Sequence, residues 1–266
     1  MTKPRPTSGM ASQAIKHWIF LRGLSREHAH WGDFIQRCEI ELGWHCYTID
    51  LPGFGSEHQR PSPTSIAEIR QDVQSRLPKE LSANTQPIGI IALSLGGMVA
   101  LDWLANDPEN IYEAILIGTS AADCGLSKRL KFNAIPSTLY ALFAMTARKQ
   151  EHAILTMVSN NRHRHAEALD LWCRIRELRP TKKQNVIRQL IAASRFNSPS
   201  AQSLNNIKGH FISSRADRMV SFQCSEYLAK KYHWPLTLHN TAGHDLPIDD
   251  ADWLIHTLKS ISGQTC

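Results

Sequence analysis

The sequence predicts an α/β protein with a mostly parallel central sheet, helices on both faces and a helical insertion after the fourth strand. Three observations lead there. Apolar runs of strand length alternate with helical segments, the pattern of a parallel sheet covered on both sides. The 266 residues, 42% hydrophobic and 20% charged, suffice for one sizeable core and are too apolar for a disordered chain. The rhythm fails once, where roughly ninety residues separate the fourth strand from the fifth, far more than an ordinary crossover needs.

The predicted strands are 16–21, 46–50, 88–93, 113–117, 207–213 and 236–239. Helices are expected over 29–42, 65–77, 96–106, 221–232 and 249–261. The core is thus 1–122 with 207–266, and 123–206 is the insertion. Within it Ile154, Met157 and Val158, then Ala168, Leu171, Trp172 and Ile175, recur at helical spacing, with Pro136 and Pro180 as breaks. Charge divides at the same boundary. Residues 125–205 hold fourteen lysines and arginines against four carboxylates, so with +6 on the whole chain the remainder is mildly acidic.

Several classes are excluded. The longest apolar stretch, from Ile88 to Leu101, is interrupted by Gly89, Ser94, Gly96 and Gly97 and is too short to span a bilayer. Residues 1–13 lack the apolar centre of a secretory signal, which points to the cytoplasm. Six dispersed cysteines without CxxC spacing indicate neither a disulfide framework nor a zinc site. His163 and His165 would point to different helix faces, with no acidic third ligand placed beside them, so no metal is expected. No phosphate-binding glycine loop is present, so no cofactor is expected, and no nucleic-acid motif accompanies the basic charge.

One motif carries chemistry. In Ala92-Leu93-Ser94-Leu95-Gly96 a serine stands between a buried strand and a helix, with small residues two before and two after it. A weakly acidic hydroxyl becomes a nucleophile when a sharp turn holds it out of the chain within reach of a base. Ala92 relaxes the first position of G-x-S-x-G, while Gly96 keeps the last. The amide of Leu95, following the serine, is then one donor for an acyl-transfer oxyanion.

From this motif outward the chain resembles the α/β-hydrolase superfamily over nearly its whole length. The likeness takes in Phe20-Leu21-Arg22-Gly23-Leu24, Asp50-Leu51-Pro52-Gly53-Phe54-Gly55, the elbow, Ala216-Asp217-Arg218 and Gly243-His244. It implies an α/β-hydrolase fold whose insertion is a cap or lid. It also implies a triad of Ser94, Asp217 and His244, each after a different strand and in the order the family uses. Asp245, adjacent to the histidine, is the alternative acid. The second oxyanion donor would be the Leu24 amide. Arg22 stands where the family usually has histidine, and Arg22 and Ser25 are candidate substrate contacts, with Arg26, His28 and His30 close by.

The implied activity is a serine hydrolase, an esterase or thioesterase that cleaves a small-molecule ester or thioester through an acyl-enzyme without a cofactor. The Asp50–Gly55 turn and the Ser94-Leu95-Gly96-Gly97 elbow are similar to those of pimeloyl-carrier-protein methyl esterases, and a basic cap would suit an anionic or carrier-bound substrate. Two alternatives remain: a carboxylate-eliminating lyase of the menaquinone-synthase type using the same triad, and a non-catalytic binding module.

Overall fold

The computed structural model describes residues 16–82, 87–129 and 144–263; Pro136 and Cys266 lie outside the described residues. Strands β1 (His17–Leu21), β2 (His45–Thr48), β3 (Ile88–Leu93), β4 (Ile111–Ile117), β5 (Lys208–Ser214) and β6 (Leu236–His239) form one sheet in the order β2-β1-β3-β4-β5-β6. Every pairing is parallel. In chain order the longer helices are α1 (Phe34–Leu42), α2 (Ile66–Ser75), α3 (Leu95–Asn106), α4 (Ala147–Val158), α5 (His165–Leu178), α6 (Lys183–Arg195), α7 (Phe222–Tyr232) and α8 (Ala251–Ile261).

Strand β3 is buried at every residue while the edge strand β6 is half-buried throughout, as expected when only the central strands are covered on both faces. Ile90 and Ala92 join Ile19, Leu21, Ala114 and Leu116 in a core that takes in Ile69 and Val73 of α2 and Leu228 of α7. The alternate residues Ile91 and Leu93 join Trp18, Phe20, Ile115 and Ile117 against Phe34 and Cys38 of α1 and Leu254 and Leu258 of α8. This two-residue alternation puts one sheet between two helical layers. The residues that leave the C-terminal ends of β1, β3, β5 and β6 then converge on one edge, where open α/β sheets bind their ligands.

Two helices depart from expectation. The segment 29–42 is a 3-10 turn, His28–Trp31, followed by α1, because Gly32 takes φ 59° and ends the first turn. The segment 249–261 splits likewise: Asp250 is non-helical (φ −154°, ψ 74°), its carboxylate accepts from the Trp253 amide at 3.0 Å, and α8 starts only after this cap. Strand β2 ends before Asp50, whose carboxylate turns to accept from the amides of His28 (2.6 Å) and Ser56 (2.9 Å).

Helices α4, α5 and α6 lie between β4 and β5. Leu155, Met157 and Val158 of α4 pack on Leu169, Trp172 and Ile175 of α5, a small core separate from the two sheet cores. Among the described residues no helix is long and apolar enough to cross a membrane.

Candidate active site

Ser94 follows β3 at φ 56° and ψ −114°, a strained conformation for a residue with a side chain. Three bonds hold it there. Its amide donates to the Ile117 carbonyl at 2.8 Å, and its own carbonyl accepts from Thr119 Oγ1 (2.8 Å) and the Gly97 amide (2.9 Å). The turn also needs Gly96: a Cβ there would stand 2.7 Å from the carbonyl oxygens of Leu21 and Arg22. Because α3 can approach that closely, the turn after β1 lies directly against the serine.

Asp217 and His244 come from the loops after β5 and β6 and are both buried. His244 Nδ1 lies 2.6 Å from Asp217 Oδ2, while Asp217 Oδ1 accepts from the amides of Met219 (2.7 Å) and Val220 (2.9 Å). A carboxylate so placed accepts a hydrogen bond from Nδ1–H, the tautomer that leaves a lone pair on Nε2. That Nε2 is buried and has no hydrogen-bond partner among the described residues. Ser94 and His244 line the same cavity, yet no hydrogen bond joins them. Burial works against an imidazolium here, but the charge and hydrogen bond of Asp217, reinforced by Asp245 and opposed by Arg22, raise the His244 pKa above its ordinary value.

The remaining candidates separate by partner. Leu95 is the first residue of α3, where the backbone N–H has no intrahelical acceptor. Leu24 lines the cavity beside Gly23, and a Cβ on Gly23 would come within 3.1 Å of Ser94 Cβ. Ser25 lines the cavity at φ 55° and donates its amide to Gln189 Oε1 of α6 at 2.9 Å. Arg22 also reaches the cavity, but its guanidinium is engaged: Nη1 lies 3.2 Å from Asp245 Oδ1 and Nη2 2.5 Å from Asp245 Oδ2. Asp245 therefore faces Arg22, and it is Asp217 that meets the imidazole. His28 pairs with Asp50 at 2.7 Å, away from the cavity.

The sequence reading missed a buried ionic cluster on the insertion side of the cavity. Glu151 of α4 accepts from Arg26 Nη1 through one oxygen and from Arg176 Nη1 through the other, each at 2.7 Å. Arg26 also lies 2.8 Å from His30 Nε2 and 4.3 Å over the Trp172 ring, and Arg179 is bonded to Glu27. Burial, with Arg26 and Arg22 nearby, drives the His30 pKa well below its ordinary value, which favours the neutral ring. Between these charged ends the cavity wall is largely apolar, with Leu93, Ile154, Met157, Val158, Val186 and Leu190.

No cluster of three or more histidine, cysteine, aspartate or glutamate side chains suited to a metal ion occurs among the described residues. His165 Nε2 instead lies 3.0 Å from Ser159 Oγ.

No curated protein matches this chain by sequence. Its structure is similar to that of a bromoperoxidase from Bacillus anthracis, with a TM-score of 0.76, 15% identity and coverage of 94% of this chain and 92% of that one. It is also similar to the enol-lactonase from Burkholderia xenovorans LB400 (TM-score 0.72, 17% identity, 96% and 94% covered). A thermophilic esterase from Thermogutta terrifontis gives a TM-score of 0.71 at 16% identity, with 94% and 90% covered. At such identities the likeness is one of fold and selects no branch within it. The family model for the Alpha/beta hydrolase family matches residues 18–257, a span that holds the sheet but for His17, the serine turn and the loops of Asp217 and His244. The chain belongs to the alpha/beta hydrolase family.

Proposed function

We propose that this hydrolase cleaves a carboxylic ester or thioester through an acyl-enzyme on Ser94. The observation that carries the reading is the His244 imidazole, bonded to Asp217 through Nδ1 and unpaired at Nε2, on the cavity that Ser94 lines. His244 Nε2 takes the Ser94 proton as Oγ attacks the acyl carbon. The resulting oxyanion is held by the main-chain amides of Leu24 and Leu95. Collapse expels the alcohol or thiol, which leaves with the proton from His244. Water then repeats the sequence and releases the acid. Asp217 keeps the imidazole in the productive tautomer and stabilises its charged form.

The insertion serves as the cap over this site, because α4 and α6 supply the apolar wall that would receive an acyl chain or an apolar alcohol. Lys183 reaches the same cavity and favours an anionic group on the substrate or its carrier.

The test is a panel of p-nitrophenyl esters of graded chain length, followed by product analysis in heavy-oxygen water. The expected result is turnover with heavy oxygen in the released acid. An unsaturated product formed without uptake of solvent oxygen would show a lyase instead, and binding without turnover of any ester would show a binding module.

A further inference from the structure

The Arg22–Asp245 pair goes beyond the triad chemistry. Its two members come from the loops that the proposed mechanism needs in register. Arg22 precedes the turn that bears the Leu24 amide, and Asp245 directly follows His244. Both are buried, at 3% and 4% side-chain exposure, and two hydrogen bonds join them fork to fork. Backing is present on each side. The guanidinium lies 4.7 Å over the Trp31 ring, and the Asp245 amide donates to the Val158 carbonyl at 2.9 Å. A bidentate pair fixes direction as well as distance, which neither a lysine nor a neutral side chain reproduces.

We propose that Arg22 and Asp245 form a positioning pair, which locks the oxyanion turn to the histidine loop and cancels the aspartate charge beside the base. The inference rests on Ser94 and His244 acting as proposed above. A buried carboxylate one residue from the imidazole would otherwise compete with Asp217 for its proton and hold the ring charged. The other charged groups around His244 are already engaged. Asp217 accepts from Nδ1 and two amides, and Asp249 accepts from the amides of Gly243 (2.5 Å) and Asn160 (2.8 Å). Arg218 donates to the Ser159 carbonyl at 2.7 Å, and Glu151 is shared by Arg26 and Arg176. The Asp245 carboxylate forms its ion pair with Arg22.

The two members act on the imidazole with opposite sign, and this separates a tuned pair from a merely structural one. With Asp245 neutralised, the uncompensated Arg22 disfavours the imidazolium, so activity persists to lower pH. With Arg22 removed, the uncompensated Asp245 favours the imidazolium, so activity is lost at higher pH. The rate of Ser94 phosphonylation by a fluorophosphonate is measured against pH for the wild type, Asp245→Asn, Arg22→Met and the double variant. Arg22→Lys is added as a variant that retains the charge but loses the fork.

The expected result is that the acidic limb moves down in Asp245→Asn, up in Arg22→Met, and back towards the wild type in the double variant. Arg22→Lys should label about tenfold more slowly with its limb close to the wild-type position, as suits a contact worth ~1.4 kcal/mol in orientation. If Arg22→Met does not fold, the Asp245→Asn and Arg22→Lys arms decide alone. Limbs that stay in place, or move the same way in both single variants, overturn the proposal. A wild-type protein that is not labelled at Ser94 overturns the hydrolase reading instead, so the two failures are distinguishable.

Discussion

The sheet edge and the insertion meet on one cavity but use charge in different ways. At the sheet edge the carboxylates are held singly: Asp217 by the Met219 and Val220 amides, Asp249 by the Gly243 and Asn160 amides, and Asp245 by Arg22. The insertion is strongly basic, and much of that charge fastens it to the core. Arg179 holds Glu27, Arg176 shares Glu151 with Arg26, Lys182 reaches the Gln59 carbonyl at 3.0 Å, and Arg188 donates to the Ser62 carbonyl. Asn185 adds bonds to the Gly53 and Arg60 carbonyls at 3.1 and 3.0 Å. A basic segment therefore need not be a steering surface, because an arginine already paired with a buried carboxylate has little field left for a ligand.

The largest expected effect lies at the sheet edge. Asp217→Asn should keep the fold and lower kcat by about 10⁴-fold, because the asparagine favours the wrong imidazole tautomer. Steady-state kinetics beside a thermal melt checks both halves of that statement. An equal loss of stability and activity would make Asp217 a structural residue only.

In the insertion the order reverses, with stability affected first. Glu151→Gln leaves Arg26 and Arg176 facing each other without a counter-charge, which should cost about 3 to 5 kcal/mol in urea-induced unfolding. A loss below ~1 kcal/mol would mean that the cluster is solvated and does not latch the insertion.

The pH response is smaller and returns to the sheet edge. Asp217 raises the His244 pKa, and the base must be neutral to act. Ester hydrolysis should therefore decline as pH falls through a midpoint above 6.5, the ordinary histidine value. The same group contributes stability that is present at low pH and is lost as pH rises through the folded-state pKa. A kinetic midpoint below the ordinary value would mean that burial outweighs the carboxylate.

The smallest effect concerns the basic charge that remains at the cavity. Lys183 lines it and is exposed, so Lys183→Glu should lower the kcat/KM ratio of an anionic to a neutral ester a few-fold at ~0.1 M salt, a difference that fades towards ~1 M. An unchanged ratio would remove steering from the account of the insertion.

How far the molecule was legible in its sequence follows the same division. Strand β3, the serine turn and the Asp217 and His244 loops are set by local patterns: a continuous apolar run, small residues around Ser94, and loops directly after strands. The Gly32 break and the Asp250 cap also had local signals, a glycine inside a helical stretch and an aspartate before one. Glu151 had none. Its partners Arg26 and Arg176 lie 125 and 25 residues away, and helical spacing shows which face is buried without showing which charge crosses it. Asp245 was visible as a neighbour of His244, but its partner Arg22, 223 residues away, became evident only once the sheet brought the two loops together.

The central claim is that Ser94 is the nucleophile, and the most direct measurement is where a covalent serine reagent attaches. Incubation with a fluorophosphonate, followed by intact mass and peptide mapping, should show one phosphonyl group per chain on the Ser94 peptide. Labelling should be absent in Ser94→Ala and slowed by about two orders of magnitude or more in His244→Ala. Stoichiometric labelling at another residue, or undiminished labelling in Ser94→Ala, would contradict the account.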